Sequence, residues 1–311
     1  MRRSQRGVAL VIVIWAAILL AVVASSFIYE RRTDAMIVGN SISMARAQAA
    51  ADAGVYRAVF DAYRSDNSPA IWKRDGFPRQ WSFDGVPVTV EMRDESAKID
   101  VNVASDALLR GLFVTAGLSD DEANNLLDAV LDWRDEDSLK RLHGAEEDDY
   151  RAAGLAYRPA NAPFQAIEEL QLVLGMRPEI YRRIAPSITV FSRQSGVNPQ
   201  LASRDVLLSI PGLTPDAVDD YIARRADAFA NGQPIPTLPQ AGTFASGNSL
   251  VVSIRSQATL DDGTYFAREA VALLRPAPRK PITFISWRES TAPPAAPVAV
   301  PQGTAPATSP S

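Results

Sequence analysis

The sequence predicts an α+β chain: one long N-terminal helix, then a β layer that a helical block interrupts. Three observations predict it. An uncharged run from Val8 to Ile28 continues into alanine-rich sequence that lacks proline as far as Tyr63. Hairpin signals occur at Trp81–Met92 and again after Ser249, and helical periodicity fills Ala104–Val190 between them. A length of 311 residues accommodates about two domains, and 22% charged against 47% hydrophobic residues describes a folding chain rather than a disordered one.

The N-terminus comes first. Arg2, Arg3 and Arg6 make Met1–Gly7 basic, and the 21 positions from Val8 to Ile28 carry no charge. About 20 apolar residues span a bilayer as a helix. Beyond Tyr29 the charges of Glu30, Arg31, Arg32 and Asp34 cancel, so the positive-inside rule puts Met1 in the cytoplasm and the body outside. A cleaved signal peptide competes with a retained anchor, since Val22 and Ala24 occupy −3 and −1 of a site before Ser25. The sequence that follows favours the anchor. Alanine recurs at 45, 47, 49, 50, 51, 53, 58 and 62, which continues the helix past the apolar run. Val55, Ala58, Val59 and Ala62 form one apolar stripe, Gly39 and Gly54 weaken the helix locally, and Ser68-Pro69 should follow its end.

Next comes β structure. Trp81-Ser82-Phe83, a turn at Asp84-Gly85 and Val86–Met92 read as a hairpin. Leu250–Ile254, a turn at Asp261-Asp262-Gly263 and Tyr265–Leu274 read as a second β region, with Ile282–Trp287 a further strand. The helical block between them presents Leu108, Leu109, Leu112 and Phe113 on one face, Leu126, Leu127, Val130 and Leu131 on another, and Leu170, Val173 and Leu174 on a third.

That block carries a weak internal repeat. Val101-Asn102, Ala104-Ser105 and Leu108-Leu109 echo Val197-Asn198, Ala202-Ser203 and Leu207-Leu208. Each copy leads to a Gly-apolar turn, Gly117-Leu118 or Gly212-Leu213, with Ser119 or Thr214 as N-cap, and Gly175-Met176 makes a third such turn. Ser290–Ser311 is Pro-Ala-Thr-Ser sequence without charge and is expected to be a disordered tail.

Composition excludes several chemistries. There is no cysteine, hence no disulfide framework, thiolate metal site or cysteine nucleophile, and one histidine, His143, cannot build a histidine metal cluster. The Gly-apolar turns resemble helix-hairpin-helix modules, whose turn amides hold DNA phosphates. Charge opposes that use: residues 100–192 hold 17 Asp and Glu against 9 Lys and Arg, a charge of −8. The acidity peaks at Asp132, Asp135, Glu136 and Asp137 and at Glu146, Glu147, Asp148 and Asp149. A solvated acidic loop, a calcium site and a pair of catalytic carboxylates all compete to explain it. Asp135, Asp137 and Glu146 occupy positions 1, 3 and 12 of a twelve-residue loop, but Leu139 at position 5 and Lys140 at position 6 rule out an EF-hand. His143 reads as a solvated loop residue.

Taken together, these residues resemble the general secretion pathway protein K (GspK) family, minor pseudopilins of type II secretion systems. Arg6-Gly7-Val8-Ala9-Leu10 looks like a prepilin-peptidase site. Asp94–Asn102 resembles the family's strand entering its helical insert, and Leu131-Asp132-Trp133-Arg134-Asp135, Gly144-Ala145-Glu146 and Tyr157-Arg158-Pro159 its acidic segment. Glu168-Glu169-Leu170, Leu174-Gly175-Met176 and Val197-Asn198-Pro199 follow in the family's order, so the likeness covers residues 1 to about 290.

The resemblance implies a pseudopilin fold: a long N-terminal transmembrane and amphipathic helix packed on an antiparallel sheet, with a large all-α domain inserted. It divides the chain into leader 1–7, membrane segment 8–29, helix continuation 30–66, first β part 67–99, insert 100–192, second part 193–289 and tail 290–311. It implies cleavage between Gly7 and Val8 by a separate prepilin peptidase and N-methylation of Val8, which makes the chain a substrate and not an enzyme. It also implies calcium in the insert, carried here onto Asp132, Asp135, Asp137, Glu146 and Asp149.

Further implications are a body in the periplasm of a Gram-negative cell, anchored in the inner membrane, and a tip complex with the I and J minor pseudopilins on a pseudopilus of the major pseudopilin. The expected partner face is the small-residue stripe Ala45, Ala49, Gly54, Ala58 and Ala62. Where most pilin-like subunits have Glu at the fifth mature position, this chain has Ile12. A carboxylate in hydrocarbon is costly without the neighbouring amine it neutralises, so its absence suits a subunit at the tip. The competing functions are a membrane-anchored helix-hairpin-helix protein binding nucleic acid and a secreted hydrolase with catalytic carboxylates.

Overall fold

The computed structural model of the chain describes residues 6–64, 71–275 and 282–290, with the side chains of 6–9, 27–30, 32 and 33 outside the description. The leader residues 1–5 and the tail from 291 onward therefore lie outside the described residues, as do the side chains of Gly7 and Val8 at the expected cleavage site.

The first helix, α1 (Arg6–Tyr63), runs unbroken for 58 residues. Its environment changes along its length. From Leu10 to Val23 the large apolar side chains are 50–71% exposed, whereas Ala47, Ala50, Ala51, Val55, Ala58 and Val59 are buried. The buried set recurs every three or four residues, so one face of the second half meets the body.

That face lies on a five-stranded antiparallel sheet. Its strands are β1 (Arg79–Phe83), β2 (Val86–Asp94), β5 (Val251–Thr259), β6 (Tyr265–Leu273) and β7 (Thr283–Glu289), in the order β1-β2-β5-β6-β7. Alternation decides which residues face α1: Val88, Val90 and Met92 of β2 meet Val252, Ile254 and Ala258 of β5 and Phe266, Ala270 and Ala272 of β6 in one core. Each such buried valine or isoleucine contributes about 1.5–3 kcal/mol. The first hairpin forms as the sequence predicts. Asp84 (φ 49°) and Gly85 (φ 76°) are consecutive left-handed residues, the backbone a two-residue hairpin turn needs.

Between β2 and β5 the chain leaves the sheet and returns to the adjacent strand, with Asp94 opposite Val252. The excursion is a helical body of α2 (Asp106–Thr115), α3 (Asp120–Arg134), α4 (Glu147–Ala152), α5 (Pro178–Ile184), α6 (Arg204–Leu208) and α7 (Pro215–Ala230). A parallel pair, β3 (Ile99–Asp100) with β4 (Ile188–Thr189), ties its neck. Two residues per strand are too few for a periodicity signal, which is why the sequence does not announce them.

The internal repeat corresponds to two helix–turn–helix units, α2–α3 and α6–α7. Gly117 (φ 98°) and Gly212 (φ 86°) take the left-handed turn, and Ser119 and Thr214 accept from Glu122 N and Ala217 N as N-caps. Gly111 of α2 is the contact point between the units: a Cβ there would sit 2.0 Å from the Ser209 carbonyl oxygen. The helical core includes Val206, Leu207, Val218, Tyr221, Leu238 and Ala241, so the helical body runs past the expected boundary at 192. Ser290, assigned to the tail by sequence, instead closes the sheet, its N–H donating to the Ala267 carbonyl at 2.9 Å.

Candidate functional site

The acidic segment is built by the end of α3 and the start of α4. Asp132 sits on the last turn of α3, fully buried, where it accepts from the Arg141 backbone N–H at 3.2 Å with the Arg141 guanidinium 3.6 Å away. Asp135 is the residue at which α3 stops, and Glu146 is the N-cap of α4. Gly144 is needed between them, because a Cβ there would lie 1.8 Å from Asp132 Oδ2.

The charges of the other four residues named from the sequence all act on Glu146. Burial raises the Glu146 carboxyl above its ordinary range, and the charges of Asp132, Asp135, Asp137 and Asp149 raise it further. Asp132 is raised by burial, opposed by the Arg141 N–H and reinforced by Asp135. Burial and then Asp137 raise Asp135. Asp149 differs. A hydrogen bond from Lys140 Nζ at 2.5 Å and another from the Glu146 N–H at 2.9 Å hold it below the usual carboxylate range. Asp137 is exposed and accepts from Leu139 N at 2.8 Å.

The fit to a hard cation is uneven. Asp135 Oδ1 and Glu146 Oε1 are buried without a hydrogen-bond partner, which would suit oxygens that contact a cation. Among the described residues, however, no three His, Cys, Asp or Glu side chains are drawn together into a metal-binding group. Lys140 pairs with Asp149 and Arg141 with Asp132, so part of the negative charge is met within the chain.

Sequence reasoning missed these two ion pairs and the packing of the segment. Trp133 stacks on Phe164 at 6.2 Å and meets Tyr150 at 6.0 Å, which fixes the carboxylates on a rigid floor. His143 is exposed, its N–H on Asp128 Oδ2 at 3.0 Å. A cleft of about 740 Å³ lies between the outer sheet face and the helical body, lined in part by Glu95, Lys98, Glu168, Glu269 and Arg288. None of the five carboxylates lines it, and its charges pair among themselves: Lys98 with Glu95, and Arg288 with Glu168 and Glu269.

At the helix-hairpin-helix turns, α3 opens with exposed Asp120, Asp121 and Glu122 and α7 with exposed Asp216. These carboxylates stand where a phosphate would have to bind.

The stripe expected to receive a partner needs correction. Gly54 and Ala58 are buried beneath the chain's own sheet and Ala62 packs against the same core. A Cβ on Gly54 would lie 2.2 Å from Ser256 Oγ and 2.9 Å from Val90 Cγ2. The small residues there permit close helix–sheet approach within the chain. Ala45 and Ala49 are exposed, on the side that also carries Val38 and Ile42, each 58% exposed. Among the described residues, no helix is long and apolar enough to cross a membrane.

Comparisons with known proteins agree on one family. Residues 90–193 match the family model described as type II secretion system (T2SS), protein K. The chain is 25% identical over 279 residues to the type II secretion system protein K of Pseudomonas aeruginosa, covering 82% of this chain and 83% of that protein. It is 27% identical over 212 residues to the protein of that name from Pectobacterium carotovorum, covering 60% of this chain and 63% of the relative. Its fold is similar to a chain in the crystal structure of the GspK–GspI–GspJ complex from enterotoxigenic Escherichia coli, with a TM-score of 0.59, 15% identity and coverage of 85% of this chain and 100% of that one.

Proposed function

We propose that this chain, which belongs to the type II secretion system protein K family, is a membrane-anchored minor pseudopilin that caps and initiates a periplasmic pseudopilus. One observation carries the reading: a single helix whose second half packs on the sheet while its first half stands clear with its apolar side chains outward. Leu10–Val23 in water would cost about 25 cal/mol for each Å² of apolar surface, so lipid or neighbouring helices are its natural surroundings. Cleavage between Gly7 and Val8, followed by methylation of Val8, leaves that segment attached to the body. Ile12 in place of a carboxylate, together with a bulky helical insert, suits a subunit with none stacked beyond it.

The partner face on α1 is the outward side with Val38, Ile42, Ala45 and Ala49, against which the helices of I- and J-type minor pseudopilins pack. The acidic segment holds calcium, with Asp135 and Glu146 supplying oxygens that lack other partners, Asp132 and Asp137 completing the set, and Asp149 joining when Lys140 swings away. Sequencing the mature N-terminus tests the main reading. N-methyl-Val8 is expected; a chain starting at Ser25 would show a secreted protein instead and defeat it. Ile12→Glu should leave secretion unimproved, and improvement would contradict the tip position.

A further inference from the structure

We propose that the uncharged C-terminal segment 291–311 docks on its own chain, on an aromatic platform formed where the second half of α1 meets the edge strand β7. The platform consists of Tyr56, Phe60, Phe284 and Trp287. Tyr56 lies 5.8 Å from Phe284 and 5.7 Å from Trp287, and those two rings are 4.8 Å apart. Tyr56 is nonetheless 54% exposed and Phe60, one helical turn along, 60% exposed. Two large exposed aromatics therefore stand beside a half-buried pair, with the Arg64 guanidinium 5.9 Å from the Phe60 ring at one end.

The platform is held stiffly. Arg268 lies over the Trp287 ring at 5.2 Å and is fixed by Asp52 of α1 at 2.6 Å, which braces β6, β7 and the helix together. A rigid surface of aromatic rings suits proline-rich sequence, because proline rings stack on aromatic faces and a polyproline II strand loses little entropy on binding.

The occupant follows from where the chain goes. Ser290 is pinned at the end of β7, its N–H on the Ala267 carbonyl at 2.9 Å and its hydroxyl on Glu269 at 2.7 Å, three residues after Trp287. The 21 residues beyond it contain no charge and place prolines at 293, 294, 297, 301, 306 and 310. Residues three apart, such as Pro294 and Pro297, would share one face if the segment bound as a polyproline II strand. At about 3.1 Å per residue the segment reaches roughly 65 Å, far beyond the ~12 Å of helix between Asp52 and Phe60. Tethering also gives it an effective concentration of about a millimolar, so a weak contact suffices.

The test uses a labelled peptide of sequence 291–311, titrated by fluorescence anisotropy in one detergent onto the full chain and onto a chain ending at Ser290. The expected result is saturable binding to the shortened chain with a Kd of about 0.1 mM or tighter, and about tenfold or more weaker binding to the full chain, whose own segment competes at about a millimolar. Phe60→Ala, at an exposed position, should weaken binding to the shortened chain at least tenfold without changing its circular dichroism. Absence of binding to the shortened chain at several millimolar overturns the proposal. So does equal binding to both chains, and so does binding indifferent to Phe60→Ala. Concentration-dependent dimerisation of the full chain that the shortened chain lacks would assign the segment to a second copy and overturn docking in cis.

Discussion

Asp94 and Ser249, 155 residues apart in sequence, are joined by one hydrogen bond: the Ser249 N–H donates to Asp94 Oδ1 at 2.8 Å. The same oxygen accepts from Ser96 N at 3.0 Å, and Arg74 stands 3.6 Å from Oδ2. A single buried carboxylate thus holds both the strand that leaves the sheet and the strand that returns to it. This is how a helical body can be inserted into a small sheet without prying β2 and β5 apart.

Asp94→Ala should therefore destabilise the chain by about 2–4 kcal/mol, because it strands two buried N–H donors and removes the carboxylate beside Arg74. Asp94→Asn, which keeps one acceptor oxygen, should cost less. Urea unfolding of both variants measures this, and equal midpoints for Asp94→Ala and the parent chain would show that the neck is held by other contacts.

The two halves of the small-residue stripe should respond oppositely to added bulk. Gly54→Leu forces a side chain into Ser256, Val88 and Val90 and should cost about 1–3 kcal/mol. Ala49→Leu lies on the exposed side and should change stability by no more than about 0.5 kcal/mol. Co-purification with other minor pseudopilins is the second measurement. It should fail for Ala49→Leu while folding persists, and an unaffected complex would move the partner face elsewhere.

Gly144→Ala should open the acidic segment, since its Cβ would overlap the Asp132 carboxylate at 1.8 Å. A loss of about 1–3 kcal/mol is expected, together with a change in the emission of Trp133, which adjoins Asp132 and stacks on Phe164. An unchanged melting temperature would show that the Arg141–Ala145 loop yields freely.

Calcium should raise the melting temperature of the full chain in detergent by about 5–10 °C relative to chelator, as expected for a ligand near 100 times its Kd. The pH dependence follows from the raised carboxyls of Asp132, Asp135 and Glu146. Without calcium the folded state binds protons more readily than the unfolded one, so stability from this segment falls as pH rises from the ordinary 3.8–4.5 range through the raised values. Calcium favours the ionised carboxylates, so the gap between calcium and chelator should widen from pH 4.5 to 7.5. A gap independent of pH would place the ion away from these three residues.

Much of the architecture was legible in the residues themselves. Helix α1, the Asp84-Gly85 hairpin, the glycine turns at 117, 175 and 212 and the caps Ser119 and Thr214 follow from local preferences, which depend only on neighbours in sequence. That the charges of Asp132, Asp135, Asp137 and Asp149 act on Glu146 was also foreseeable, because all five fall within 18 residues of chain, but among the described residues they do not meet as a metal-binding group.

Other features had no local signal. The burial of Gly54 and Ala58 depends on Ser256, Val88 and Val90, and sequence cannot say which face of an alanine-rich helix meets a sheet formed far along the chain. The charge balance of the acidic segment depends on Lys140 pairing with Asp149 and Arg141 with Asp132 while both cations stay exposed, and a loop position alone does not specify those partners. Short-range propensity and charge spacing therefore determined the elements and the candidate ligands. Only the tertiary structure decided which small residues are consumed by the chain's own packing and which carboxylates keep an unpaired oxygen, because both are set by contacts between distant segments.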